Sequence, residues 1–187
     1  MSKFKAIFGH LKTVFKHKYW VFHYCRLAGI PWRGLVHDLS KFSPTEFIES
    51  VKYYQGGKSS PINAAKREQG FSRAWQHHKG RNTHHYEHWT DNYDSGTTCI
   101  QMPFEDAVEM ICDYLGAARA YWGKEFTYTK ELDWWVEKKK VAKIHKHTKA
   151  FVSQVLLLLT YYENSKESKN NVLSKNYLKH IYDTIVA

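Results

Sequence analysis

The chain has 187 residues, 43% of them hydrophobic and 16% aromatic, which suffices for one domain with a real core and excludes a disordered chain. It carries 28 Lys and Arg against 18 Asp and Glu, a formal net charge of +10; an excess this large attracts nucleotides, nucleic acid or a membrane surface, with solvated lysine faces as the plain alternative. Cys25, Cys99 and Cys112, odd in number and lacking any CxxC spacing, argue against a disulfide framework and a zinc knuckle and point to a reducing cytoplasm.

The N-terminal stretch MSKFKAIFGHLKTVFKHKYW never builds an apolar h-region, so no signal peptide is expected. The longest apolar run, Val155 to Leu159, falls far short of the roughly 20 residues of a membrane span. Helical spacing dominates. A first helix is expected from about Phe4 to Ala28, stopped by Gly29. Pro31 opens a short second helix carrying WRGLVHDLSKF. SPTEFIESVKYYQ follows, with Ser43 as N-cap, Pro44 at the first helical position and Glu46 completing a capping box. GGKSSPINAAKREQG reads as mostly loop with about one helical turn. FSRAWQHHK is a short helix capped by Ser72, GRNTHHYEHW a turn followed by a further helical turn, and DNYDSGTTCIQ a loop. MPFEDAVEMICDYLGAARAYWG is a strong helix ending at Gly123. KELDWWVEKKKVAKIHKH, TKAFVSQVLLLLTYYEN and NVLSKNYLKHIYDTIVA complete an all-α chain, with ENSKESKNN as a surface loop.

Chemistry concentrates in the histidines, of which there are twelve. At ~100° per residue, His10, Val14, His17, Val21, Cys25 and Ala28 share one stripe of the first helix, and His23 falls off it. His10 lies two turns from His17, roughly 10 Å along the axis, too far to share its metal, so it is expected to contact substrate or to support the site from outside the ligand set. His37 and Asp38 stand side by side in an apolar run. His78 shares a face with Phe71, Ala74 and Trp75. His84, His85 and His88 follow, and Asp106, Glu109 and Asp113 recur along one face of the strong helix. Burying so many imidazoles and carboxylates is costly unless they are satisfied. A divalent cation satisfies them, and this donor set suits iron, manganese, cobalt, nickel or zinc, with magnesium as an oxygen-preferring alternative.

The segment LVHDLSK resembles the doublet segment of the HD-domain metal-dependent phosphohydrolases, with Ser40 where glycine is usual. KHKYWV supplies His17, HD supplies His37 and Asp38, and EMICDYLGA supplies Asp113, in the superfamily's order. WQHHKGRNTHHYEHW supplies His78, His84 and His85, similar to the dinuclear branches. From about His10 to Tyr128 the chain also resembles an uncharacterised HD-like family of bacteria and phages that carries HDLSK, YYQG, AW.HHKGRN.HH.E.W and MP....EM..D in this order. Some of its members bear a catalase label, which no haem-binding motif here supports.

The resemblance implies one all-α domain over residues 1–187, a bundle of about six to eight helices, with an HD-like core at 8–128 and C-terminal helices at 129–187. It implies hydrolysis of a phosphate ester, with a nucleotide as the expected small-molecule substrate. Asp38 would bridge two metals, His17, His37 and Asp113 would complete one site, and His78 with His84 or His85 the other. Lys41 and Arg81 are expected to take the phosphate, and Glu109 to orient a ligand histidine. The competing expectations are a di-iron HD-type oxygenase and a non-catalytic, metal-stabilised nucleic-acid-binding protein. The sequence leaves the oligomeric state open.

Several signals are set aside. GGKSS lacks the first glycine and the strand of a phosphate-binding loop, and HHYEH is not HExxH. KKKVAKIHKHTK reads as a solvated lysine run. Trp134 and Trp135, like Tyr53 and Tyr54, read as core rather than base-stacking platforms.

Overall fold

A computed structural model describes residues 2–57 and 59–187; Met1, and Lys58 in the segment read as loop, lie outside the described residues. The protein is all-α, with ten α-helices and one small hairpin among the described residues. Among the described residues no helix is long and apolar enough to cross a membrane.

Helix α1 spans Lys3–Leu27, and Ser2 caps it by accepting from the Lys5 amide. The predicted stripe faces inward: His10, Val14, His17, Val21, Cys25 and Ala28 are all buried. The chain reverses at Gly29, whose φ of 71° favours glycine, and Pro31 opens α2, Pro31–Val36. This helix stops one residue before the His–Asp doublet. Asp38 itself adopts a left-handed conformation with φ 57° and ψ 27°, and it is the non-glycine residue with positive φ among the described residues. Such a backbone costs about 1 kcal/mol or more outside glycine, though Asp tolerates it better than most. A 3₁₀ turn, Leu39–Phe42, then leads into α3, Pro44–Lys52, with Ser43 as its cap.

Residues Pro61–Gln69 form a full helix, α4, ended by Gly70 at φ 81°; the single turn expected there is too short. Helix α5 is Arg73–Arg81 with Ser72 as cap. After a 3₁₀ turn at Tyr86–Trp89, the stretch expected to be loop folds into an antiparallel hairpin, β1 Thr90–Tyr93 with β2 Gly96–Cys99, in register Thr90 to Cys99. Helix α6, Phe104–Trp122, ends at Gly123 as expected.

The C-terminal part differs more. Helix α7, Tyr128–Val141, stops earlier than its periodicity predicts. The extended Ala142 and the buried Ile144 turn the chain into the core with neither glycine nor proline to signal it. Helix α8 follows as Lys146–Tyr161. The polar stretch read as a surface loop carries α9, Lys166–Val172, before α10, Lys175–Val186. These extra helices and breaks raise the count above the expected six to eight.

One apolar core runs through the whole chain. It joins Val21 and Cys25 of α1, Ile111 and Leu115 of α6, Trp135 of α7, Val155 and Leu156 of α8, and Leu178 of α10. The terminal helices are part of it, since the Tyr182 hydroxyl donates to the Met102 carbonyl at 2.5 Å.

Two glycines set the approach of the helices that carry the candidate ligands. A Cβ on Gly116 of α6 would meet Val21 Cγ2 at 2.5 Å, and one on Gly34 of α2 would meet Cys25 Cβ at 2.6 Å. Backbones this close bring α1, α2 and α6 together one turn from His17, His37 and Asp113.

Candidate metal centre

The doublet is the hub of a buried polar cluster. Asp38 is 1% exposed and His37 2%. The Lys18 ammonium holds the doublet's backbone by donating to the His37 carbonyl. Asp38 Oδ2 lies 3.4 Å from His17 Nε2 and 3.2 Å from His37 Nε2, while Oδ1 lies 3.2 Å from His78 Nε2 and 3.4 Å from His84 Nε2. Asp113 Oδ1 completes the first side, 3.1 Å from His17 Nε2 and 3.4 Å from His37 Nε2.

Two sets of donor atoms thus converge within metal-binding distance: His17, His37, Asp38 and Asp113, and Asp38, His78, His84 and His85. A third group, His37, His84 and Glu109, overlaps both. Asp38 Oδ1 and the Nε2 atoms of His84 and His85 are buried without a hydrogen-bond partner. Lys41 Nζ approaches Asp38 Oδ2 to 2.5 Å. Orphaned buried acceptors of this kind are costly, and nitrogen and carboxylate donors converging on one point fit a divalent metal ion.

The supporting partners are also in place. Glu109 Oε1 sits 2.8 Å from His37 Nδ1 and 3.2 Å from His84 Nδ1. Glu46 Oε2 sits 2.7 Å from His78 Nδ1, and its Oε1 lies 2.7 Å from His77 Nδ1. A carboxylate on Nδ1 fixes the ring and leaves Nε2 for the metal. Arg33 clamps Glu109 through Nε at 2.7 Å and also bonds Asp106, which accepts from the Thr83 hydroxyl at 2.5 Å. Ser40, where glycine is usual in the doublet segment, accepts from Asn82 Nδ2 at 2.8 Å and lies 3.2 Å from His78 Nδ1.

The charges follow from this crowding. Burial alone would hold His37 neutral, yet Asp38, Asp113 and Glu109 push its pKa well above the usual value. His78 is likewise carried against burial to about 9 by Asp38 and Glu46. Burial disfavours the Asp38 and Asp113 carboxylates, but the surrounding imidazoles, and Lys41 in the case of Asp38, hold both well below the usual range. His85 is pushed far down by burial and by His84 beside it. His10, buried and near Lys41, falls to about 4 and stays neutral.

The sequence-expected residues sort by position. His17, His37, Asp38, His78, His84, His85 and Asp113 lie in the two donor sets, and Glu109 lies behind them on imidazole nitrogens. His10 and Lys41 line a cavity of about 220 Å³ beside the cluster, together with His17, His78, His85 and Asp113. The Nε2 of His10 has no partner. His23 stays apart, stacked edge-on with Trp20 and Tyr24, and His88 is exposed. Arg81 does not take the position beside the cluster expected of it. It is exposed on α5 and donates from Nε to His77 Nε2 at 2.8 Å, because the helical spacing of four pairs it with His77. Glu46 and Arg33 went unassigned to the site. Glu46 was expected to close a capping box, but its carboxylate serves His77 and His78 instead, and Ser43 alone caps α3.

The fold and cluster define an all-α protein built around a buried histidine–carboxylate centre fit for metal. The chain belongs to a family of unknown function, DUF5662, whose model matches residues 6–158. The match extends past Tyr128, through α7 and most of α8. No curated protein and no solved structure matches the chain.

Proposed function

We propose that this protein is a metal-dependent phosphohydrolase acting on a nucleotide or a related phosphate ester. The observation that carries the reading is Asp38, whose two buried oxygens face two different histidine sets, with only the Lys41 ammonium on one of them. His17, His37, Asp38 and Asp113 would hold one divalent ion, and Asp38, His78, His84 and His85 a second. Such ions, when bound, lower the pKa of water toward neutrality and polarise a phosphoryl oxygen.

The protein's own residues do the rest. Glu46 and Glu109 hold the imidazoles in register. Lys41, in the cavity wall beside Asp38, offers an ammonium to a phosphate oxygen. His10, kept neutral, offers an unpartnered ring nitrogen to the ester from the same wall. Asp38 and Asp113 make the centre anionic enough to hold cations, while the overall positive charge of the chain draws in the substrate.

The test is elemental analysis of anaerobically purified protein, then a nucleotide screen with released phosphate as the readout. One or two equivalents of transition metal and chelator-sensitive phosphate release are expected. Loaded protein that consumes oxygen without releasing phosphate would replace this reading with a di-iron oxygenase. Salt-dependent binding of DNA or RNA without turnover would replace it with a binding module.

A further inference from the structure

Beside the small cavity lies a larger one of about 460 Å³. Trp75, His85, Ala117 and Tyr121 line both, so the two adjoin. The larger cavity is walled by aromatic rings, with Tyr86, Tyr114, Trp122 and Trp134 beyond the shared pair. Trp134 was expected in the core; it is 40% exposed and stands 5.0 Å from the Tyr114 ring, nearly perpendicular to it. Its neighbour Trp135 takes the core position instead.

Two carboxyl groups open into this aromatic space. Glu131 is 3% exposed, and among the described residues its carboxyl has neither a hydrogen-bond nor an ion-pair partner. Glu87 Oε2 is buried without a partner in the same wall. Flat aromatic walls suit a flat ring system by stacking, and unpaired carboxyl oxygens suit N–H donors on its edge. A small organic cation would also suit aromatic walls and carboxylates. Here the protein's own ammonium groups already lie near those rings, Lys138 at 5.2 Å from the Tyr86 ring and 5.6 Å from that of Trp134, and Lys66 at 4.8 Å from that of Trp75. Like charges disfavour a second cation there.

We propose that the larger cavity holds the base of the nucleotide, with Glu131 accepting from a base edge rich in N–H donors, guanine's above all. Guanine offers N1–H and its amino group side by side, which fits one carboxyl group once it has ionised. Adenine and cytosine place one amino group beside an acceptor, and uracil has a single N–H between two carbonyls. The phosphate would then lie in the smaller cavity, against Lys41 and His10. The proposal deepens the phosphohydrolase reading and rests on it for the phosphate end alone.

The experiment therefore uses nucleosides, which carry no phosphate, titrated into the full metal-loaded chain. Tryptophan fluorescence and calorimetry report binding. Guanosine is expected to bind at least tenfold more tightly than uridine, ribose or choline. Glu131→Gln and Trp134→Ala are each expected to weaken guanosine about tenfold while the far-ultraviolet dichroism stays helical. Guanosine bound no better than ribose, choline bound better than guanosine, or two folded variants that bind like the parent would each overturn the base site. Guanosine binding without hydrolysis of GMP would leave the base site standing and remove the phosphohydrolase reading. Hydrolysis of GMP and ribose 5-phosphate at equal KM, with no guanosine binding, would do the reverse.

Discussion

Phe151, Val155, Leu156 and Leu159 of α8 are completely buried against the rest of the apolar core, and across α6 His37 and Asp38 are buried almost as fully. Helix α6 serves both regions. Its Val108, Ile111 and Leu115 belong to the apolar core, while Glu109 and Asp113 reach into the polar cluster. The two regions answer different demands. Each large apolar side chain removed from water contributes roughly 1.5–3 kcal/mol, so the α8 side is what holds the fold. On the other side, four buried imidazoles, a half-buried fifth and three carboxylates crowd together, and taking charges out of water costs several kcal/mol per ion before pairing offsets it. A cluster that merely fills space would be cheaper as leucine. Its composition is therefore best explained by what it binds.

Asp38→Asn breaks the comparison most sharply. Asparagine tolerates the left-handed backbone but removes the charge shared by both donor sets. Metal content is expected to fall from one or two equivalents to near zero by elemental analysis, phosphate release to vanish, and helical dichroism to persist. A fully metallated, active variant would remove Asp38 from the centre.

Leu156→Ala acts on the other region. It should lower stability by about 2–5 kcal/mol in denaturant titration, while metal per folded molecule stays constant. A variant that loses metal in step with stability would show that the two regions are not separable.

Glu46→Gln tests the support of His78 alone. Removing a carboxylate behind a metal-binding imidazole should weaken metal affinity about 10- to 100-fold, read by competition with a chromophoric chelator. The melting temperature of the metal-free chain should shift far less than in Leu156→Ala.

Much of the ligand set was legible because it follows the helical period. His17 lies on the same stripe as Val14, Val21 and Cys25, and Asp113 on the face that carries Glu109. The supporting residues were not legible, because their partners are distant in sequence. Glu46 looks locally like a capping residue, yet its carboxylate meets side chains 31 and 32 residues away. Arg33 meets Glu109 across 76 residues and carries no local mark. Arg81 shows the converse error, since the local spacing to His77 decided its place. Trp134 faces away from the core because adjacent helix positions lie ~100° apart and Trp135 takes the core position. Helix α4 reads as a single turn and α9 as loop because polar sequences there bury only a few side chains, Ala64 and Ala65 in one and Val172 in the other.

The smallest expected effect separates Glu131 from both regions. It is a carboxyl at a cavity wall, neither packed like α8 nor paired like the buried histidine–carboxylate cluster. Burial first, and the Asp113 charge second, raise its pKa from 4.5 to about 8. A carboxyl whose folded pKa is raised contributes stability that is fully present below its unfolded value and is lost as pH rises through the folded one. Between about pH 4.5 and 8 the unfolded chain can ionise this group and the folded chain resists, so the native state weakens across that window. Glutamine has nothing to titrate. Glu131→Gln should therefore melt with the parent near pH 4.5 and above it at pH 8. Because the carboxyl opens onto a cavity, the gain is expected to be roughly 1–2 kcal/mol, or about 2–8 °C. Scanning calorimetry of both chains across that range checks the sign, and a gap that narrows toward pH 8 would show that Glu131 is ionised and paired in the folded protein. A variant that is more stable yet binds guanosine less tightly would mark Glu131 as a residue whose place in the fold is explained by its ligand.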